Sequence, residues 1–187
     1  MGAAHSSVPM VQQNSVVLMP PLGEHICTDS GSKPLKLVIV DDEPAQLCLY
    51  KRLLHDWFKN VTIRTFEQSD GALVEILNAC EEPDLLITDL NNAPVSGFDL
   101  LASLAHAKCL AVQRVEYPIF VISALLTDTI EARIRQCTTP YLNLCFLSKP
   151  LDTAAFFRAL ESQFPLPSST NTPAGNCSFP LGLEQKP

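Results

Sequence analysis

Between residues 34 and 165, short runs of aliphatic and β-branched residues alternate with longer stretches whose apolar positions recur every three or four residues. A brief, almost wholly apolar run suits a strand covered on both faces, and a 3.6-residue period suits a helix with one buried side. LKLVIV (35–40) precedes PAQLCLYKRLLHDWF (44–58), in which Leu47, Tyr50, Leu54 and Trp57 form one stripe and Pro44 suits the first helical turn. VTIRTF (61–66) precedes a helix from about Asp70 to Ala79, with Ser69 or Asp70 as its cap. DLLITDL (84–90) precedes a helix from about Gly97 to Cys109 that turns Phe98, Leu101, Leu104 and Ala105 inward. PIFVIS (118–123) leads to a helix over about 127–136, and LNLCFL (142–147) to one from Asp152 to about Phe164 that buries Phe156, Phe157 and Leu160. Strand and helix patterns alternating in this way predict five βα units around a parallel sheet.

Polarity orders the strands. A strand flanked by helices on both faces is apolar throughout, whereas an edge strand tolerates polar positions. The first, third and fourth runs are almost purely apolar; the second carries Thr62, Arg64 and Thr65, and the fifth carries Asn143. With right-handed crossovers the order is 2-1-3-4-5, a flavodoxin-like, doubly wound (βα)5 sheet. Its topological switch point lies between the first and third strands, at their carboxyl ends, where open sheets of this type bind ligands.

Composition then sets the limits. Seven of the fifteen prolines of the 187-residue chain fall in the short end segments 1–33 and 166–187. The expected organisation is a disordered N-terminal tail (1–33), one domain (34–165) and a disordered C-terminal tail (166–187). A net charge of −7 without a basic stripe argues against nucleic acid as a partner. The N-terminus lacks the features of a signal peptide and no apolar run is long enough to span a membrane, so a soluble, cytoplasmic protein with no membrane partner is expected. Gly2 and Ser6 satisfy the loose N-myristoylation pattern. The seven cysteines (27, 48, 80, 109, 137, 145, 177) include no Cys-x-x-Cys pair, which excludes the usual zinc spacing. Cys48, Cys80, Cys109 and Cys145 fall in predicted helices or strands and are read as small buried hydrophobes.

The chemistry gathers at the strand ends. Asp41 and Asp42 follow the first strand and Asp89 ends the third, so three acids converge on the switch point. Like charges about 4 Å apart repel by ~4 kcal/mol per pair at an effective dielectric near 20. A hard divalent cation, Mg2+, resolves the repulsion, because it takes carboxylate and phosphate oxygens. Ser123 at the end of the fourth strand supplies a hydroxyl, and Lys149 after the fifth supplies a cation. A carboxylate can attack a phosphoryl donor when such groups compensate the charge on the phosphoryl oxygens. Asp89, alone at the end of the central strand, is the candidate nucleophile.

Over roughly residues 34 to 165 the chain resembles the receiver domain of two-component response regulators. The residues that carry the resemblance are LVIVDDEP, LLITD followed by Gly97, VISA and FLSKP. It implies that Asp41 and Asp42 are the metal-binding acidic pair, that Asp89 is the phosphoacceptor, and that the backbone carbonyl of Asn91 completes the Mg2+ shell. It further implies that Ser123 and Lys149 contact the phosphoryl group, that Phe146 is the switch aromatic, and that the Lys149–Pro150 bond is cis. Where the family usually has Met-Pro after the acceptor, this chain has Asn92 and Ala93, with proline one place later at Pro94, so the loop is expected to take another shape. Leu125, two places after Ser123, is apolar where a polar side chain would help place an attacking water, and this points to a long-lived phosphoryl group.

The expected function is a stand-alone response regulator in a phosphorelay. It would take its phosphoryl group from a sensor histidine kinase or a histidine phosphotransfer protein and switch binding to a downstream target protein. It would be no enzyme beyond catalysing its own phosphorylation and dephosphorylation. The alternative is a receiver-like interaction module that is not phosphorylated. A phosphatase of the haloacid dehalogenase type fits less well, since it wants a second acid two places after its nucleophile, where Asn91 stands.

Overall fold

The computed structural model describes residues 33–138 and 140–165. Residues 1–32 of the expected N-terminal tail (1–33), the expected C-terminal tail (166–187), the Gly2 and Ser6 pattern, Cys27 and Cys177 lie outside the described residues. Five strands, β1 (Leu35–Val40), β2 (Val61–Phe66), β3 (Leu85–Asp89), β4 (Pro118–Ser123) and β5 (Asn143–Ser148), alternate with five helices. The helices are α1 (Pro44–Trp57), α2 (Ser69–Asn78), α3 (Gly97–Leu110), α4 (Asp128–Thr138) and α5 (Thr153–Gln163). All strand pairs are parallel and the order is 2-1-3-4-5. The register aligns Val40 with Thr88, Asp89 with Ile122 and Ser123 with Ser148, so the carboxyl ends of β1, β3, β4 and β5 finish along one edge.

The period-two geometry of a strand divides the core between the two faces of the sheet. Leu37 and Ile39 of β1, Leu85 and Ile87 of β3, and Phe120 and Ile122 of β4 pack with Leu47, Tyr50 and Leu54 of α1 and Phe156 and Leu160 of α5. The intervening Val38, Val40, Leu86, Ile119 and Val121 pack instead with Ala72 and Ile76 of α2, Leu100 and Leu104 of α3, and Ile134 of α4. Helices on both faces explain why β3 and β4 are buried along their whole length, while β2 and β5 alternate or stay half-exposed at the edges. Phe156 meets Phe120 edge to face at 6.0 Å and stacks on Tyr50 at 6.5 Å, fixing α5 against the sheet.

Local expectations are corrected in three places. Neither Ser69 nor Asp70 caps α2: Gln68 is the cap and Ser69 is the first helical residue, fully buried. Its hydroxyl accepts a hydrogen bond from Asn92 rather than from its own helix. Phe98 does turn inward, and it and Phe157 pack against the core while staying only partly buried; Leu100, not expected there, takes a fully buried place on α3 beside Leu101 and Leu104. Among the described cysteines, Cys48, Cys80, Cys109 and Cys137 are exposed rather than buried, and Cys145 is half-buried against the core. Cys48 is turned about 100° from Leu47 around α1, Cys80 lies past the end of α2, Cys109 lies beyond Ala105, the last buried residue of α3, and Cys145 is on an edge strand.

Candidate functional site

The strand ends bring the candidate residues together as the sequence pattern requires. Carboxylate oxygens of Asp41, Asp42 and Asp89 lie within 4.8 Å of one another, with Asp41 and Asp89 buried and Asp42 exposed. Lys149 reaches them from the turn after β5. Its Nζ donates to Asp89 Oδ2 at 2.7 Å and to Asp41 Oδ2 at 2.9 Å. The other oxygen of each buried acid is held by the chain just beyond it: Glu43 N–H donates to Asp41 Oδ1 and Asn91 N–H to Asp89 Oδ1. These bonds leave the two buried carboxylates little freedom to turn.

Two backbone contacts shape the edge around them. The Lys149 N–H donates to the Ser123 carbonyl at 2.9 Å, tying the end of β4 to the turn that carries the lysine, and the Lys149–Pro150 bond is cis. Ser123 is fully buried, and its hydroxyl accepts from the Leu125 N–H at 3.2 Å. The β3–α3 loop is closed by Gly97, whose N–H donates to the Leu90 carbonyl. Gly97 is required there, because a Cβ would stand 1.9 Å from the Asp89 carbonyl oxygen. The Ala93–Pro94 bond in this loop is also cis, and Ser96 with Asp99 forms a capping box that starts α3.

The charges balance poorly without a further cation. Three carboxylates face one ammonium, and burial raises the Asp41 pKa by more than its hydrogen bond to Lys149 lowers it, with the Asp89 charge adding to the rise. Burial pulls the Lys149 pKa down, but the hydrogen bonds and charges of Asp89 and Asp41 outweigh it and leave the ammonium held above its ordinary value. A set of clustered oxygen donors with surplus negative charge fits a hard divalent cation such as Mg2+. The donor set therefore agrees with the ion that the sequence pattern implies.

Some features were not read from the sequence. Asn92, noted there only as a departure from a pattern, is buried and bonds to the Asp42 backbone N–H and to Ser69. An amide three places after the candidate nucleophile was the available signal. Tyr50, expected simply to face inward from α1, has a buried hydroxyl without a hydrogen-bond partner among the described residues, and burial raises its pKa. Phe146 on β5 is half-buried, with the Arg135 guanidinium of α4 lying 4.6 Å from its ring centroid. Beside the site a groove of about 240 Å³ runs between Asn91, Phe98, Leu125 and Arg133, and Leu125 is 61 % exposed.

No protein-family model matches the chain, and no curated protein is significantly similar to it in sequence. Solved structures do match. The Francisella response regulator 1452 receiver domain is 16% identical over 69% of this chain and 95% of its own, with a TM-score of 0.55. CheY in the CheX–CheY–BeF3–Mg complex from Borrelia burgdorferi is 20% identical over 71% of this chain and 90% of its own, with a TM-score of 0.57. The chemotaxis protein CheY4 of Vibrio cholerae is 17% identical over 69% of this chain and 98% of its own, with a TM-score of 0.55. The fold is therefore that of CheY-like response regulator receiver domains. Among the described residues no helix is long and apolar enough to cross a membrane.

Proposed function

We propose that the protein is a response regulator receiver that accepts a phosphoryl group on Asp89. The observation that carries this reading is the Lys149 ammonium bridging Asp89 and Asp41 beside Asp42, on a sheet edge where Ser123 ends the adjacent strand. Asp89 Oδ attacks phosphorus; the bond from phosphorus to the donor breaks, and the donor leaves with the electron pair as a free imidazole or a carboxylate. Lys149 then exchanges its carboxylate partner for a phosphoryl oxygen, and the Ser123 hydroxyl turns from the Leu125 N–H to donate to another. Asp41, Asp42, Asp89 and the Asn91 carbonyl would hold Mg2+, which when bound neutralises charge on the phosphoryl oxygens. The protein thus catalyses its own phosphorylation and dephosphorylation and turns over no second substrate.

The donor in this reading is a phosphohistidine of a sensor kinase or a phosphotransfer protein, and the output is binding of a target protein by the α4, β5 and α5 face. Phosphorylation biases an existing two-state equilibrium, with Ser123 and Phe146 as the residues that move. The exposed, apolar Leu125 offers an attacking water no hydrogen bond, so the phosphoryl group is long-lived, and its loss within seconds would contradict this. The test is intact mass after incubation with Mg2+ and acetyl phosphate. One phosphoryl adduct that disappears without Mg2+ and in Asp89→Asn is expected. The absence of an adduct in folded, Mg2+-bound protein, with acetyl phosphate and with a phosphohistidine donor alike, would favour a receiver-like interaction module instead.

A further inference from the structure

Asn92 is 4 % exposed and engages both ends of its amide. Its Oδ1 accepts from the Asp42 N–H at 3.0 Å, and its Nδ2 donates to Ser69 Oγ at 3.2 Å. The orientation is chemically determined, since a backbone N–H can only donate and must therefore face the amide oxygen. Ser69, fully buried at the start of α2, anchors the other end. One side chain thus joins the β3–α3 loop, the β1–α1 loop at Asp42 and α2.

The three acids differ in how they are held. Lys149, together with the N–H groups of Glu43 and Asn91, fixes the carboxylates of Asp41 and Asp89. Among the described residues no ion pair holds the exposed Asp42 carboxylate. The Glu43 cap that follows makes no side-chain bond to α1. Asp42 is located instead through its backbone, and Asn92 supplies that bond.

We infer that Asn92 is a positioning residue for the cation site: by holding the Asp42 N–H it sets the carboxylate of Asp42 beside those of Asp41 and Asp89, and so sets divalent-cation affinity. The inference rests on the proposed Mg2+-dependent reading of the site. Groups that orient ligands without touching the metal typically contribute about 10- to 100-fold in metal affinity.

The experiment is calorimetric titration with Mg2+ alone, without a phosphoryl donor, alongside thermal unfolding with and without Mg2+. Asn92→Leu keeps the branching at Cγ, with a bulkier group, and removes both hydrogen bonds; Ser69→Ala removes only the anchor of the amide. The wild type is expected to bind Mg2+ and gain Tm on binding. Asn92→Leu should bind about 10-fold more weakly and lose most of the Mg2+-dependent gain, with a smaller change in the same direction for Ser69→Ala. A purely structural role would lower Tm equally with and without Mg2+ and leave affinity unchanged. Wild-type affinity in folded Asn92→Leu, or in Ser69→Ala should the first variant not fold, would overturn the role of Asn92 alone. A wild type that binds no Mg2+ would overturn the reading of the site itself.

Discussion

Single residues at the sheet edge act through close approach and directed hydrogen bonds. Gly97 shows the first: its missing Cβ leaves room for the Asp89 carbonyl, which a methyl group would meet at 1.9 Å. Gly97→Ala should therefore force the start of α3 away from β3, at a cost of about 3 kcal/mol in urea unfolding, and displace Asp89 enough to slow phosphoryl acceptance. Tyr117 shows the reverse case of a group that contributes too little, as its buried hydroxyl lacks a hydrogen-bond partner among the described residues. Tyr117→Phe removes that unmet demand and should raise stability by about 1 kcal/mol, seen as a higher Tm; a lower Tm would contradict it. Asp41, Asp42, Asp89, Ser123 and Lys149 were legible in the sequence because each is a polar residue at the end of an apolar run. Asn92 was not, because its role depends on which backbone groups the loop brings to it.

Secondary-structure elements were read well wherever burial on two faces leaves a plain signal. The wholly apolar third and fourth runs became fully buried β3 and β4, and the polar residues of β2 and β5 placed these at the edges. The same logic failed for the cysteines, since a predicted helix does not say which of its faces a residue occupies or where its last turn leaves the core. Nor did periodicity disclose contacts between elements, such as Arg135 of α4 over the Phe146 ring of β5. This contact links two elements of the proposed output face. A double-mutant cycle with Arg135→Ala and Phe146→Leu should return a coupling of about 0.5–1 kcal/mol in chemical denaturation, and additive effects would show that the guanidinium does not restrain the ring.

At the scale of the whole molecule, the wrapping of one sheet by helices on both faces brings residues more than a hundred positions apart into one site, as the Asp41–Lys149 pair shows. The acids that hold Lys149 and the burial of two tyrosines make the fold sensitive to alkali. Lys149 has its pKa raised in the folded state, so its contribution is fully present below the unfolded value of about 10.4 and is lost as pH rises above it. Buried Tyr50 and Tyr117 have raised pKa values as well and lose stability in the same direction from about pH 10. Tm should fall steeply above about pH 10, less steeply in Tyr117→Phe, and a flat profile to pH 11 would contradict this. The central claim, a phosphoryl group on Asp89, is tested most directly by locating it. Protein treated with acetyl phosphate and Mg2+ is reduced with borohydride, which converts an aspartyl phosphate to homoserine, and is then mapped by peptide mass spectrometry. Homoserine at position 89 alone, absent without Mg2+, is the predicted result; homoserine at another aspartate, or none in protein carrying the adduct, would contradict it.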